Sequence, residues 1–229
     1  MRSPWVPRLL LGAAAIGLSA AIVSISVGTG GPKVIKLTGG DQVQELLGGI
    51  QQSGAELGTP DAPVTISVFN DLQCSTCDEY EVHTVDPLIE RYARTGGARF
   101  EFHNYSLGQA ETTKAAYAAV AAGIQDREWQ FVETFFRNQD AAPAHTVSDQ
   151  FLSDIVNSIT DLDLDTLRRD MASASVKAQV DADAKLAADY GLRVTGPSII
   201  VDGPGGTKVL QDSPSQQEVE GAVAAAGTP

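Results

Sequence analysis

Cys74-Ser75-Thr76-Cys77 is the stretch from which the rest of the chain can be interpreted. It follows an apolar run at residues 64–69 that is typical of a β-strand, and it leads into an acidic and apolar segment that predicts a helix. The chain has no other cysteine, so any thiol chemistry must use this pair. The first turn of a helix stabilises an anion, which makes Cys74 the candidate nucleophile. Cys77, one helical turn further, is predicted to be better shielded and to act as the resolving thiol.

The first 27 residues have the pattern of a membrane-targeting segment. Residues 1–8 contain Arg2 and Arg8, and residues 9–27 follow without a charged side chain. This apolar run matches the thickness of a bilayer, whereas the apolar part of a signal peptide is usually shorter. Its length favours an uncleaved anchor over a cleaved signal, and the small residues near Gly28 keep cleavage as the alternative. In either case the rest of the chain is expected outside the cytoplasm.

The chain is acidic, with 16 basic against 29 acidic residues and a formal net charge of −13 at pH 7. Without Arg2 and Arg8 the exported part keeps 14 basic residues against the same 29 acidic ones, a formal charge of −15. A field of this sign repels phosphate groups, so nucleic acid and anionic lipid surfaces are poor partners.

The residues between the apolar segment and the cysteines predict a linker and a small βα unit. Residues 28–32 are rich in Gly, residues 33–37 read as a short strand, and Asp41 is placed to cap a helix. Residues 51–63 are rich in Ser, Gly, Pro and Thr, which predicts a loop before the strand at 64–69. The order strand, helix, strand predicts that the two strands are parallel.

The segment after the cysteines predicts a helix, a strand and a long helical block. The helix is expected to reach about Arg94 with a kink at Pro87, because proline lacks the N–H that the preceding turn needs. Residues 99–103 alternate as a half-buried strand. Four helical segments without a strand between them then extend over about residues 109–190, which indicates an all-helical insertion.

The C-terminal part predicts a β-hairpin and a closing helix. The hairpin covers residues 198–210, and the helix begins with a capping box formed by Ser215 and Glu218. The predicted organisation is a cytoplasmic N-terminus at 1–8, a membrane segment at 9–27, a linker with a βα extension at 28–57, and an α/β domain at 58–226.

Four pieces of the chain resemble the thioredoxin superfamily, and within it the extracytoplasmic DsbA-like branch with a helical insertion. They are the lead-in at residues 61–66, the block at residues 69–77, the helical block, and residues 194–203 with the sequence Val-Thr-Gly-Pro-Ser-Ile-Ile-Val-Asp-Gly. The resemblance implies a thioredoxin fold, a central mixed sheet flanked by helices. It implies thiol-disulfide exchange with exported client proteins, no metal or organic cofactor, and a membrane redox partner that resets the pair.

The same resemblance assigns a client-binding role to the segment before the hairpin. In the family a cis proline faces the cysteine pair, and the residues ahead of it bind the client backbone. Pro197 matches that proline, and Gly196 and Thr195 precede it. These three residues are the expected substrate-binding residues.

The chain departs from its most oxidising relatives around the cysteines. Those relatives carry Pro-His between the cysteines, and here Ser75 and Thr76 take these positions and are expected to tune the redox pair. Nearby carboxyls oppose a thiolate on Cys74, at Asp71, Asp78, Glu79 and Glu81. Many relatives have a buried acid at the position of Val68, so water or Asp71 is expected to serve proton transfer at Cys77. A pair less oxidising than the strongest oxidases is therefore predicted.

Several alternatives to an oxidant are compatible with the sequence. A disulfide reductase or isomerase would use the same pair in another direction, and a non-catalytic binding module would keep the fold with idle cysteines. A purely structural disulfide across so short a loop is a poor stabiliser. A zinc site would combine the cysteines with two histidines, but zinc ribbons need a second cysteine pair. The three histidines are His83, His103 and His145.

Overall fold

A six-stranded mixed sheet carries the cysteine pair beyond the C-terminal end of one of its central strands. The computed structural model describes residues 35–74, 77–105, 110–141, 146–193 and 196–228. The strands are β1 (Gln52–Ser53), β2 (Glu56–Leu57), β3 (Thr65–Asn70), β4 (Arg99–Asn104), β5 (Ser198–Asp202) and β6 (Lys208–Leu210). Their order in the sheet is β1-β2-β4-β3-β5-β6, and only β3 and β4 are parallel to each other.

The parallel pair β3 and β4 is joined by the helix that starts at the second cysteine. This helix, α2, covers residues 77–93 in four consecutive pieces: α-helical turns at Cys77–Tyr80 and Asp86–Leu88, and wider π-helical turns at Glu81–Val85 and Ile89–Ala93. The π-helical turns flank Pro87, where the sequence predicts a kink, because proline cannot donate the N–H of a regular α-helical bond.

Five helices and one short 3-10 turn make up the described part of the insertion. They are α3 (Ala110–Gly123), α4 (Glu128–Phe136), the 3-10 turn Gln139–Ala141, α5 (Asp149–Ser158), α6 (Leu164–Met171) and α7 (Ala174–Asp189). The sequence predicts four segments, and the break near Ser173 accounts for the difference: its side chain caps α7 by accepting from Val176 N.

Aromatic packing joins the insertion to the sheet. The Trp129 ring on α4 meets Phe100 and Phe102 of β4 edge to face, with ring centroids 6.1 and 5.8 Å apart. Its indole N–H donates to the carbonyl of Ala55 at 2.8 Å. All three rings are fully buried, so this contact gives the two parts a common apolar core.

The C-terminal hairpin and helix have the predicted form. Strands β5 and β6 pair as an antiparallel hairpin, and α8 (Gln216–Ala226) begins with the capping box of Ser215 and Glu218. The hairpin turn rests on the end of α8, where Gly205 N donates to the carbonyl of Ala226 at 2.7 Å.

The segment before the cysteines differs from the prediction in three respects. Residues 35–37 form no strand, because the edge of the sheet is taken by the hairpin of β1 and β2; the Ile35 N–H bonds instead to Asp154 at 2.9 Å. That hairpin lies within the predicted loop at 51–63. Helix α1 (Gly40–Leu47) is preceded by Gly39 with φ 79°, and Asp41 lies inside its first turn without capping it.

The helices bury most of their large apolar side chains, and the exposed ones include two that lie just beyond helix ends. Val43, Leu46 and Leu47 of α1 are buried. Ile124, directly after the end of α3 at Gly123, is 52% exposed, and Tyr190, directly after α7, is 40% exposed. No helix within the described ranges is both long and apolar enough to cross a membrane. The predicted membrane segment at residues 9–27 lies outside those ranges.

Candidate redox site

The two cysteines form a disulfide at the connection between β3 and α2. Cys74 lies four residues beyond the last residue of β3, and Cys77 is the first residue of α2. Their Cα atoms are 5.4 Å apart. Cys77 is buried, with 1% of its surface exposed, whereas Cys74 is half-buried. The arrangement of strand, turn, cysteine pair and helix is the one that the sequence predicts. Ser75 and Thr76 lie outside the described residues.

Side-chain hydrogen bonds build the turn that presents Cys74. Asn70 Oδ1 accepts from Asp71 N at 2.9 Å, and Asp71 Oδ1 accepts from Gln73 N at 2.8 Å. Cys74 N then donates to the carbonyl of Asp71 at 3.0 Å. Asp71, predicted for proton transfer, therefore has a role in holding the turn, as short polar side chains commonly do.

A buried carboxyl lies one turn beyond Cys77 on α2. Glu81 is fully buried, and its Oε2 accepts from Asn70 Nδ2 at 3.0 Å. Burial, followed by the negative charge of Asp86, raises the pKa of Glu81 to about 8, against the opposing effect of the Asn70 hydrogen bond. The sequence predicts that Glu81 is one of the negative charges near the pair. That prediction is wrong for Glu81, because a carboxyl with this pKa is largely neutral at pH 7.

Glu81 belongs to a cluster that joins α2 to the insertion. Arg137, just after α4, forms ion pairs with Asp86 on α2 and with Glu133 on α4. Burial raises the pKa of Asp86 to about 6 in spite of Arg137, and burial also raises the pKa of Glu133 well above its usual range. The Glu133 carboxyl is in addition a hydrogen-bonding neighbour of Glu81.

A second buried network lies at the end of β4. Asn104, the register partner of Asn70, donates from Nδ2 to Glu128 on α4 at 2.9 Å. Its backbone N–H donates to Asp183 of α7 at 3.0 Å, and the other oxygen of Asp183 lies 3.0 Å from His103 Nδ1. Burial, followed by the charge of Asp183, raises the pKa of Glu128 to about 8. The neighbouring strand ends thus each bind a buried glutamate through an asparagine.

Sequence reasoning missed both networks. The sequence does contain one signal of these networks. An asparagine ends each of the two parallel strands, and a glutamate follows the second cysteine by four residues. The partners of these asparagines come from helices up to 79 positions away, so local patterns could not identify them.

Pro197 lies at the same end of the inner strands β3 and β5 as the cysteine pair. Ser198, the first residue of β5, pairs with Phe69 near the end of β3, so the two chain segments meet there. Pro197 also accepts at its carbonyl from Ser213 N at 2.8 Å. Thr195 lies outside the described residues.

The bond before Pro197 differs from the family expectation. No peptide bond is cis in the described part of the chain, so the Gly196–Pro197 bond is trans here. The trans form of an X–Pro bond is intrinsically favoured by about 0.5–1 kcal/mol.

The zinc alternative has no support among the residues whose positions are described. They contain no group of three or more His, Cys, Asp or Glu side chains that could hold a metal ion. His103 is instead engaged with Asp183, and His145 lies outside the described residues.

Comparisons with known proteins agree with this site. Residues 51–224 match the family model described as Thioredoxin. The probable disulfide bond formation protein D of Bacillus cereus is 29% identical over 151 residues, which cover 64% of this chain and 69% of that protein. Disulfide bond formation protein D of Bacillus subtilis is 25% identical over 166 residues, 72% of each chain.

Solved structures share the fold. Oxidised BdbD from Bacillus subtilis has a TM-score of 0.64 at 23% identity, covering 78% of this chain and 97% of that chain. A thioredoxin-like oxidoreductase from Silicibacter pomeroyi has a TM-score of 0.63 at 23% identity, covering 76% and 92%. The chain belongs to the thioredoxin family, and the Cys74–Cys77 pair makes it a thiol-disulfide oxidoreductase.

Proposed function

We propose that the protein works outside the cytoplasm and exchanges disulfides with exported proteins, chiefly as their oxidant. The observation that carries this proposal is the disulfide between half-buried Cys74 and buried Cys77 at the start of α2. An oxidised pair with one approachable sulfur can accept electrons from a dithiol. The names of the Bacillus relatives, which describe disulfide bond formation, support the same direction.

The reaction uses the two cysteines in sequence. A client thiolate attacks the Cys74 sulfur, the bond to Cys77 breaks, and a mixed disulfide between the client and Cys74 forms. A second client thiolate then attacks the client sulfur of that bond and expels Cys74 as a thiolate. The client leaves with a disulfide and the pair is left reduced, so a membrane redox partner is required to oxidise it again.

Client binding is assigned to the segment before β5. Gly196 and Pro197, with Thr195 ahead of them, are proposed to hold the client backbone beside Cys74. Support comes from the register of β5 with β3. The two strands are antiparallel neighbours, so the start of β5 and the turn to Cys74 lie at the same end of these strands. Ser75 and Thr76, which lack the histidine of the strongest oxidases, are proposed to make the pair a milder oxidant.

The location follows from the N-terminal sequence. Residues 9–27 are proposed to anchor the protein as a single-pass segment, with residues 1–8 in the cytoplasm and the catalytic domain at 58–226 outside. Within that domain about residues 109–190 form the insertion. Residues 28–57 precede the domain as a linker and an extension, and the strands β1 and β2 of that extension belong to the same sheet. The uncharged 9–27 run and the use of a disulfide, which persists in oxidising compartments, support this placement.

Differential alkylation after reduction tests the proposal. Cys74 is expected to react with iodoacetamide at least about tenfold faster than Cys77, because only Cys74 is partly exposed and the thiolate is the reactive form. Peptide mapping by mass spectrometry gives the two rates. A Cys77→Ala variant is expected to accumulate a mixed disulfide with a client that carries a disulfide: the Cys74 thiolate attacks that bond, the client's other sulfur leaves as a thiolate, and no second cysteine of the variant resolves the product.

Equal labelling of the two cysteines, or no disulfide exchange with glutathione, would contradict an active redox pair and favour a binding module. Titration of the pair against glutathione buffers then separates oxidant from reductase. A potential as low as that of a structural disulfide would contradict the role as oxidant.

A further inference from the structure

The buried Cys77 sulfur needs a proton partner that the solvent cannot supply. When the disulfide opens, Cys77 leaves as a thiolate, and burial strongly disfavours that charged form. Water has little access to a residue that is 1% exposed. Val68 supplies no carboxyl from β3, and Asp71 uses its Oδ1 to accept from Gln73 N.

Glu81 is positioned to meet this need. It follows Cys77 by four residues on α2, and both side chains are buried, so both project from α2 into the interior. Side chains at this spacing on a helix are neighbours, with Cβ atoms about 5–6 Å apart. Asn70 links the Glu81 carboxyl to the turn that carries Cys74, since its Nδ2 donates to Glu81 and its Oδ1 accepts from Asp71 N.

The side chains around Glu81 favour a carboxyl cluster that holds a proton. Its Oε1 receives no hydrogen bond from any N–H or O–H group of the described residues, and the same holds for Glu133 Oε1. Two neighbouring carboxyls can bond to each other only if one of them is protonated. The charged or titratable groups that face Glu81 are Asp86 and Tyr80 on α2, Glu133 on α4, and Arg137 after α4. Three carboxyls around one guanidinium leave a proton in the cluster at neutral pH.

We propose that Glu81 exchanges a proton directly with the Cys77 sulfur each time the disulfide opens or closes. This inference rests on the proposed redox function and adds the proton path to it. The pKa of Glu81, raised to about 8, lets the group give or take a proton near neutral pH.

Protons and electrons balance both when the disulfide opens and when it closes. On opening, the bond between the sulfurs breaks, its electron pair stays on Cys77, and the Glu81 carboxyl gives that sulfur its proton. On closing, the Glu81 carboxylate takes the proton of the Cys77 thiol while the Cys77 sulfur attacks the mixed disulfide at Cys74. The outer thiol leaves as a thiolate.

Rapid mixing of the reduced protein with excess oxidised glutathione tests the proposal. Acid quenching and mass spectrometry count the mixed disulfide at Cys74 and the closed disulfide separately. Glu81→Gln is expected to slow the closing step by about 100-fold, within the range of general base catalysis, and to remove the rise of its rate around pH 8. The first step, which depends on glutathione and on Cys74 alone, is expected to be unchanged.

Glu128→Gln is the matched control. Glu128 is also buried, has a pKa raised to about 8, and accepts from an asparagine at a strand end, but it lies on α4 and not on the redox helix. In the Glu128→Gln variant, the rate of disulfide closing and its pH dependence are expected to be the same as in the wild type. An unchanged closing step in Glu81→Gln, or equal slowing in both variants, overturns the inference. Failure of the wild-type Cys74 to react with glutathione at all would instead overturn the redox function.

The Glu128→Gln protein supplies a measurement that does not depend on a folded Glu81 variant, and it lacks the second buried glutamate whose pKa is raised to about 8. Infrared spectra of the reduced form are expected to show the C=O stretch of a protonated carboxylic acid that titrates with the same midpoint as the closing rate. A closing rate that rises with pH while no carboxyl band titrates in that range contradicts the role of Glu81.

Discussion

His103 illustrates how neighbouring side chains decide the charge of a single residue. Its ring stacks on Phe69 with centroids 4.5 Å apart, its Nδ1 lies 3.0 Å from Asp183, and its Nε2 lies 3.7 Å from Glu101. Burial lowers the pKa of His103, but the hydrogen bonds and charges of Asp183 and Glu101 outweigh it and raise the pKa to about 9. A histidine without an assigned role in the sequence is therefore a cation that ties β4 to α7.

His103→Gln should change how stability depends on pH. A folded pKa of about 9 lies above the ordinary value of 6.5, so the stabilisation is complete below pH 6.5 and is lost as the pH rises through 9. Between pH 6 and 9 the free energy of unfolding of the wild type should fall by up to about 3 kcal/mol more than that of the variant. Urea unfolding at both pH values measures this. The exposed His83→Gln variant is the control, and parallel pH curves for the wild type and His103→Gln would contradict the expectation.

At the scale of elements, the buried cluster around Arg137 attaches the redox helix to the insertion. The Arg137 side chain is 10% exposed, and it bonds to Asp86 on α2 and to Glu133 on α4. A cation between two buried carboxyls compensates for their loss of hydration, whereas either carboxyl alone would be costly. The position of α2, and with it that of Cys77, therefore depends on a residue of the helical block.

Arg137→Met should leave these carboxyls without a counter-charge. The expected loss is roughly 3–5 kcal/mol in the free energy of unfolding at pH 7.5, the range for breaking a buried ion pair. The loss should be smaller at pH 5, because the pKa of Asp86 is raised to about 6 and that carboxyl is then neutral. Chemical denaturation at both pH values gives the comparison.

Arg91→Met is the matched control for this variant, since Arg91 is 58% exposed and pairs with Glu220 on α8. Its expected loss is below about 1 kcal/mol. Equal losses of unfolding free energy in the two variants would contradict the expectation that the buried ion pairs of Arg137 stabilise the protein more than the exposed pair of Arg91.

At the scale of the whole molecule, the net charge of −13 is expected to influence encounters with the proposed clients. Opposite charges raise association rates, and salt screens this effect. We therefore expect the protein to react faster with clients whose cysteines lie among basic residues.

Two dithiol peptides that differ only in Lys or Glu flanks test this preference. The basic peptide should be oxidised about tenfold faster at low salt, and the two rates should converge at 1 M salt. Stopped-flow kinetics of the oxidised protein give the rates, and a peptide with Ser flanks should fall between the two. A difference that persists in high salt would assign the preference to direct contacts.

The parts of the fold that were predicted correctly follow from local patterns. The strand before Cys74, the helix after Cys77, the hairpin at β5 and β6 and the capping box at Ser215 each depend on residues close together in the chain. The predicted strand at 33–37 was wrong over residues 35–37 because its pairing depended on which segment reaches the edge of the sheet. The hairpin of β1 and β2 occupies that edge.

The sequence by itself determined the order of strand, cysteine pair and helix, and thereby the chemistry, because a thiol pair at the start of a helix is a local arrangement. Only the tertiary structure decided the state of Glu81. Its four-residue distance from Cys77 is visible in the sequence, but its neutral form depends on burial in the folded core and on the charge of Asp86, which together outweigh the hydrogen bond from Asn70. Protonation is set by the dielectric and the charges that surround a group in space, and folding alone brings those together.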